Sequence, residues 1–454
     1  MGCNPALLTD SAAQLQFGFM VLSQQIAISL DGRPGTQFAI PEGIANAGHA
    51  DGSRFDNYPI ATNDLQFGRA GDELTPSLRA RPRQGAGSGQ DTTTYEVFGL
   101  VLKLFDERLA LGAYGMLPNN GFTRLKAFYS DEREQYFTNS LHPELYSDRM
   151  TAPSVSFGAG VRLLDELSFG VGAALTFQSQ VASPSYVVDT GDLSKVLIDI
   201  DGKANVSFAP YFGLRYSPIK RLRLTATAHS PQSIKLSTNF TFLLANGVEQ
   251  QSGINFVLDY TPWMFGLGSA FDIIQSEHRN LSIAGTLVYA AWHSYIDRHG
   301  QRPGSSYPWA DTLSPTLGLR FRQDDFSSYA DLAYTPTPVP KQTGRTNYVD
   351  NDRVAAAIGG EQGFSLLNSK VFIGLTLQGN RLLSRHQTKL PTPTSPSGKN
   401  LAPELVKDEL PDDARISGKP VEGAQGLQTN NPGWPGFGSS GWVYAASLYA
   451  RILL

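Results

Sequence analysis

The sequence predicts an all-β chain folded as a transmembrane antiparallel β-barrel of about fourteen strands. Three observations predict it. Long runs alternate strictly between apolar and small or polar residues, tight charged turns join such runs in pairs, and long connections alternate with short ones down the whole chain. The stretch from Ala152 to Gln178 shows the first two together. Val155, Phe157, Ala159, Val161 and Leu163 take every second position; after Asp165-Glu166 the alternation resumes with Leu167, Phe169, Val171, Ala173, Leu175 and Phe177. A period of two over two such runs is a β-hairpin. Each run reaches the roughly 9–11 residues that cross a bilayer when tilted. The opposite face carries Ser, Gly, Arg and Thr, which suits a wet or plugged lumen better than the core of a soluble sandwich.

Composition narrows the alternatives. At 454 residues the chain has room for several soluble domains or one large barrel. It contains no uninterrupted apolar run of about 18 residues, so membrane-spanning helices are excluded, whereas a barrel escapes hydropathy because alternate residues are polar. A formal charge of −4 favours no nucleic-acid partner. Forty-five glycines and an aromatic content of 11% suit close-packed lumen positions and interfacial girdles. The single Cys3 excludes an intramolecular disulfide framework. The first residues, MGCNPALLTDSAAQ, have neither the charged nor the apolar region of a secretory signal, and Ala6 stands where a myristoylation site needs Ser or Thr. A mature or trimmed form is expected.

In chain order, Leu15–Leu30 is the first strand. A long Gly/Pro-rich connection follows, then a hairpin of Thr94–Phe105 and Arg108–Leu117 about Asp106-Glu107. After a second long excursion come the Ala152–Gln178 hairpin, Asn205–Ser217 and Leu222–Thr241. Ile254–Asp272 places Ile254, Phe256, Leu258 and Tyr260 outward, then changes parity across Pro262-Trp263 to Phe265, Leu267 and Phe271, which reads as a bulge. Leu281–Ile296 is the ninth run. Leu313–Arg322 pairs with Phe326–Tyr334 and Arg353–Gly363 with Lys370–Gln378, and Trp442–Leu454 closes the chain. Outer-membrane barrels have an even strand number, short periplasmic turns and longer outer loops. The expected organisation is therefore one barrel over residues 14–454, with long outer loops at 31–93, 118–151 and 382–440, behind a short N-terminal segment, 1–13.

Asn4-Pro5-Ala6 before the first strand, AYTPTPVP (Ala333–Pro340) after the eleventh, Val349-Asp350-Asn351-Asp352-Arg353 opening the twelfth, and the FGAGVRLLDELSFGVGAAL hairpin together resemble the FadL-like outer-membrane transporters of long-chain fatty acids and aromatic hydrocarbons. The resemblance runs the length of the barrel. It implies a monomer in the outer membrane, in contact with its lipid and lipopolysaccharide, using no cofactor. It further implies passive uptake of a long-chain fatty acid or other hydrophobic small molecule into a lumen pocket, closed by a plug or hatch, with lateral release through a kinked third strand. Residues 1–13 would then be a remnant of the hatch, with Asn4, Pro5 and Ala6 at its junction with the wall. The chain departs from the family in lacking most of the hatch before Asn4, and in ending on Leu454 rather than an aromatic residue.

Gly112, Tyr114, Gly115 and Pro118 are the candidate lateral exit. Pro lacks an N–H and Gly weakens a ladder, so a gap in the wall and an ordinary strand end are both open. Lys103, Arg108, Arg162, Arg215, Arg223, Arg320 and Arg322 point inward near the short turns. Arg162 and Arg320 could hold a carboxylate headgroup; pairing with acids such as Asp331 and Glu361, or with a plug, is favoured. Phe128, Tyr129, Phe137 and Leu141, in the 118–151 excursion, form either an outer groove for a lipid-like ligand or a packing face for that loop. The seven histidines show no metal-ligand spacing, and no G-x-S-x-G nucleophile motif occurs. An outer-membrane lipolytic enzyme would need a serine beside His229 or His293; a structural or adhesin barrel would lack an apolar pocket.

Overall fold

The computed structural model describes residues 4–30, 86–119, 153–176, 185–188, 196–204, 206–243, 248–296, 300, 302, 308–341, 348–366, 369–388, 415–416, 419–420 and 436–454. A 3-10 turn, Pro5–Asp10, comes first. Strands β1 (Gln14–Leu30), β2 (Ala86–Leu104), β3 (Leu109–Pro118), β4 (Ser154–Leu164) and β5 (Leu167–Thr176) follow. Two short strands, β6 (Ser185–Val188) and β7 (Val196–Ala204), leave the wall before β8 (Ser207–Ile219) and β9 (Leu222–His229). Then come β10 (Gln232–Leu243), β11 (Glu249–Thr261), β12 (Met264–Gln275), β13 (Arg279–Ala290), β14 (Thr312–Gln323), β15 (Phe326–Thr335), β16 (Arg353–Leu366) and β17 (Ser369–Thr388). A two-rung ladder of β18 (Arg415–Ile416) and β19 (Lys419–Pro420) precedes β20 (Gly436–Leu453).

Fourteen of these close into one antiparallel barrel, in the order β1-β2-β3-β4-β5-β8-β9-β12-β13-β14-β15-β16-β17-β20, with β20 pairing back onto β1. The expected strand count is met. Closure matters because lipid offers no hydrogen bonds, so every wall N–H and C=O must find its partner in a neighbouring strand. The alternation has the expected sense. Phe157, Leu163, Phe169, Phe212, Leu267, Leu317, Ile358 and Leu448 project from the outer surface and remain exposed, while Ser168, Tyr95 and Val101 are buried inside. Large apolar side chains all round a closed sheet are what an acyl environment selects. No helix among the described residues is long and apolar enough to cross a membrane. The short turns and both ends of the wall, Gln14 and Leu453, lie at one end of the barrel, the periplasmic end by the asymmetry of such barrels.

The structure corrects two readings of the middle of the chain. The run after Leu222 breaks at Ser230-Pro231, and the parity change at Pro262-Trp263 is a junction between sheets, not a bulge within one strand. Strands β10 and β11 belong with β7 and β6 to a separate four-stranded sheet, order β11-β10-β7-β6. Proline ends each ladder because it has no N–H to give. One consequence is that Tyr260, expected to face outward, is buried in the apolar cluster described below.

Candidate functional site

The lumen is built in two unlike halves. In the periplasmic half, the Pro5–Asp10 turn packs against β3, β4, β5 and β8. Asn4 caps it: its Oδ1 accepts the Ala6 N–H at 3.0 Å, and its Nδ2 donates to the Leu214 and Ala226 carbonyls at 3.2 and 3.5 Å. Proline at the first position of the turn costs nothing, since that N–H would have no partner. Thr9 donates to the Ala6 carbonyl at 2.8 Å and meets the Ser168 hydroxyl at 2.9 Å. The small inward face of the wall is the socket for this turn. A Cβ on Gly112 would lie 2.7 Å from Leu8, and one on Gly160 would lie 2.7 Å from the Pro5 carbonyl oxygen. At Gly170 and Gly213 a Cβ would collide outright with the Ala6 backbone and the Asn4 side chain.

Cations complete the closure. Lys103 donates to the Leu8 and Thr9 carbonyls at 3.0 and 2.7 Å, and Arg162 donates to the Thr9 carbonyl at 2.7 Å. They satisfy carbonyls that the end of a helical turn leaves open. Asp10 pairs with Arg215 at 3.1 Å and with Arg223 at 3.6 Å. Across the lumen, Arg320 makes a two-pronged pair with Asp331 at 2.7 and 3.0 Å. Arg451 meets Glu361 at 2.5 Å, with Tyr449 and Ser327 donating to the same carboxylate. Arg162 and Arg320 thus each hold a protein partner.

The outer half is apolar. Trp292, Tyr295, Trp309 and Tyr348 form a ring-on-ring cluster: Tyr295 and Trp309 stack at 3.6 Å between centroids, and Tyr348 meets both edge-on. Tyr260, Leu22, Ile26, Tyr95, Val339 and Phe437 extend it across to the opposite wall. The Trp309 indole N–H is buried within it without a hydrogen-bond partner among the described residues. The two segments singled out after the eleventh strand secure this cluster. Arg385 donates to Thr337 Oγ1 and to the Asp350 and Val339 carbonyls at 2.8–3.1 Å. Asn351, fully buried, donates to the Leu383 and Ser439 carbonyls at 2.8 and 2.9 Å, bridging β17 and β20 where their register shifts.

The wall at the expected exit is closed. β3 pairs without a register shift with β2 from Leu109 to Pro118 and with β4 from Leu109 to Met116. Gly115 is covered on the lipid side by the Phe98 ring, Gly112 is filled from within by Leu8, and Tyr114 packs against the apolar cluster. Pro118 sits opposite Tyr95, and Asn119 N–H continues the ladder to the Thr94 carbonyl at 2.8 Å. These residues therefore form no gap. A different seam is open. The β14–β15 ladder stops at Thr316–Ala333, so Thr312–Pro315 have no ladder partners on the β15 side among the described residues. Pro315, Pro336 and Pro338 have no N–H to donate, which suits a stretch without rungs. The Ala310 N–H to Pro338 carbonyl bond, 2.9 Å, ties the outer edge of this stretch. Trp309 and Val339 of the apolar cluster adjoin it in the chain.

Phe128, Tyr129, Phe137 and Leu141 lie outside the described residues. His229 stacks on Tyr211, and His293 Nδ1 lies 2.8 Å from Asp311. Among the described residues no serine hydroxyl is hydrogen-bonded to His293, and no group of metal-ligating side chains occurs. Burial pushes the Asp311 carboxyl up, but hydrogen bonds from Tyr289 and from the backbone and ring of His293 outweigh it and hold the carboxyl below its ordinary range. Sequence reasoning missed Trp292, Tyr295, Trp309 and Tyr348. Their signal was aromatic density in connections, which carries no periodicity.

Neither protein-family models nor curated proteins give a match to this chain. Solved structures do. The toluene transporter TodX of P. putida is 11% identical, with 99% of this chain and 92% of that one covered at a TM-score of 0.46. The likeness is one of fold. The monoaromatic hydrocarbon channel CymD (11% identity, 99% and 91% covered, TM-score 0.43) and the Ralstonia pickettii toluene transporter TbuX (12%, 98% and 91%, 0.42) are similar in the same way. At such identities the barrel rests on its own strand pairing.

Proposed function

We propose that this chain is a passive channel for hydrophobic compounds in the bacterial outer membrane, a monomer of FadL-like type whose residues 4–13 form part of the lumen plug. The division of the lumen carries the proposal: apolar and aromatic in its outer half, closed by the N-terminal turn and its cations in its inner half. An apolar solute gains roughly 0.8 kcal/mol per methylene on leaving water, so it partitions into the outer half and has no reason to cross the charged one. The Trp309 N–H offers one donor to a polar end or a π-face. Long-chain fatty acids and monoaromatic hydrocarbons both fit this chemistry.

The solute then leaves sideways into the membrane, at the β14–β15 seam and not at β3. The stretch Thr312–Pro315, without β15 rungs beside the aromatic cluster, supports this, since strands part there with only the Ala310–Pro338 bond at the outer edge to break. Leu313 is exposed on the lipid side, and continuing the β14–β15 register past Thr316–Ala333 sets Pro336 across from it. In a Cys3→Ser background, Leu313→Cys with Pro336→Cys should, when cross-linked by a short bis-maleimide, lose uptake of a labelled long-chain hydrophobe. Each single variant should retain it. Wild-type uptake in the cross-linked protein would refute the seam as the exit. Loss of uptake on Tyr295→Ala with Trp309→Ala, in barrels present at normal amounts, tests the lumen site separately.

A further inference from the structure

On the outer wall, β16, β17, β20 and β1 carry a trough where their neighbours carry bulk. Two adjoining hollows of about 520 and 530 Å³ share Ile358 and Leu377. The upper one is floored by Ala356, Gly379 and Ala446; the lower continues over Gly360 beside Leu448. The register explains the hollow. Ala356 faces Gly379 on one rung, which continues to Tyr444, and Ala446 faces Leu377 on the next outward rung, so the three small residues adjoin diagonally across three strands. The trough faces lipid: Val21, Ile358, Leu375, Leu377 and Leu448 around it are all exposed on the outer surface.

Its upper end is marked by charge. Arg381 lies one rung above Gly379 on the same face, opposite Trp442 on β20. Its guanidinium sits over the Trp442 ring at 4.9 Å, and Trp442 stacks on Tyr444 at 5.5 Å. Arg381 makes no ion pair among the described residues. Asp352, just before β16, has both carboxylate oxygens engaged, by the Thr337 N–H at 2.8 Å and the Tyr334 hydroxyl at 3.1 Å. A cation on the lipid-facing wall at the level of an aromatic girdle is costly unless it meets an anion at the headgroup plane. An acyl-sized apolar trough directly beneath gives that anion a tail.

We infer that this face is a binding site for a phosphorylated acylated glycolipid of the outer leaflet, its phosphate on Arg381 and an acyl chain along the trough. Arg381 presents a planar fork suited to phosphate oxygens, and its stacking on Trp442 fixes the fork at the interface. The Trp442–Tyr444 pair supplies the amphipathic ledge between headgroup and chain. The site rests on the outer-membrane placement proposed above but not on transport.

The test uses the purified full chain in detergent micelles, with bis-phosphorylated lipid A as the probe and native mass spectrometry as the readout. Wild type should hold lipid A about five-fold more tightly than its dephosphorylated form, the gain expected of one basic side chain at an anionic headgroup. Arg381→Gln should remove that difference, and Arg381→Lys should restore part of it. Ala446→Phe, which fills the trough from the lipid side, should weaken both lipids alike. Discrimination surviving in Arg381→Gln, or unchanged binding in Ala446→Phe, overturns the site. Equal binding of phosphatidylglycerol assigns the phosphate to an ordinary phospholipid and overturns the glycolipid; a dimer abolished by Ala446→Phe assigns the trough to a second copy. None of these outcomes depends on uptake, so they leave the channel proposal to its own experiment.

Discussion

Asn4 holds the N-terminal turn in its socket, and removing its amide should release the turn without unfolding the barrel. Asn4→Leu keeps the branched shape but deletes the acceptor of the Ala6 N–H and the donor to Leu214, together with the longer contact to Ala226. The two carbonyls keep their ladder partners; the Ala6 N–H, at a fully buried residue, does not. One orphaned buried donor plus one or two lost bonds costs about 2–3 kcal/mol. That corresponds to a rise of roughly 30- to 150-fold in the fraction of time the turn is undocked. Thr9 is almost fully buried in the docked turn, so Thr9→Cys in a Cys3→Ser background reports undocking through its rate of alkylation by a small water-soluble maleimide. The rate should rise by that factor on adding Asn4→Leu, while heat-modifiable migration of the barrel stays the same. Gly213→Val, which expels Asn4 sterically instead of chemically, should do the same. An unchanged alkylation rate in both variants would refute the account of the turn as a docked plug.

Two further predictions follow from the ion pairs. Because Arg162 and Arg320 are engaged by the Thr9 carbonyl and Asp331, Arg162→Gln and Arg320→Gln should change uptake of a fatty acid and of a neutral hydrocarbon by the same factor; a loss confined to the fatty acid in uptake assays would return them to headgroup binding. At the outer rim, the Asp311 carboxyl is depressed in the folded state, so its stabilising contribution is complete above the unfolded carboxylate value of about 3.9 and is lost as pH falls through the folded one. The melting temperature should therefore fall as pH drops below about 4; Asp311→Asn should make that fall smaller, the paired Asp331 and Glu361 keeping their own shares, and an identical limb in the variant would disprove the assignment.

The wall was legible because lipid imposes one rule on every strand. Phe157, Phe169, Phe212 and Leu267 must alternate with something small, and that alternation survives in one sequence read alone. Beyond the membrane the rule lapses. β10 and β11 read as continuations of β9 and β12: the run from Leu222 passed straight through Pro231, and Pro262 looked like a bulge, because proline marks an interruption without saying what lies beyond it. The lumen was half legible. Its glycines suited a wet or a plugged lumen alike, and the residues that fill them, Pro5 and Leu8, lie more than a hundred residues away in the chain. Gly115 and Pro118 misled for a similar reason: the Phe98 ring and the Thr94 carbonyl that close the wall there belong to the neighbouring strand.

The turn is joined to β1 by only three residues, Ser11, Ala12 and Ala13, before the wall begins at Gln14. At roughly 3.3–3.6 Å per extended residue, such a tether reaches about 10 Å. Once undocked, the turn remains confined to the periplasmic mouth and meets its socket again at an effective concentration on the order of millimolar. A strap this short makes redocking an intramolecular step, with no second molecule needed to bring the turn back.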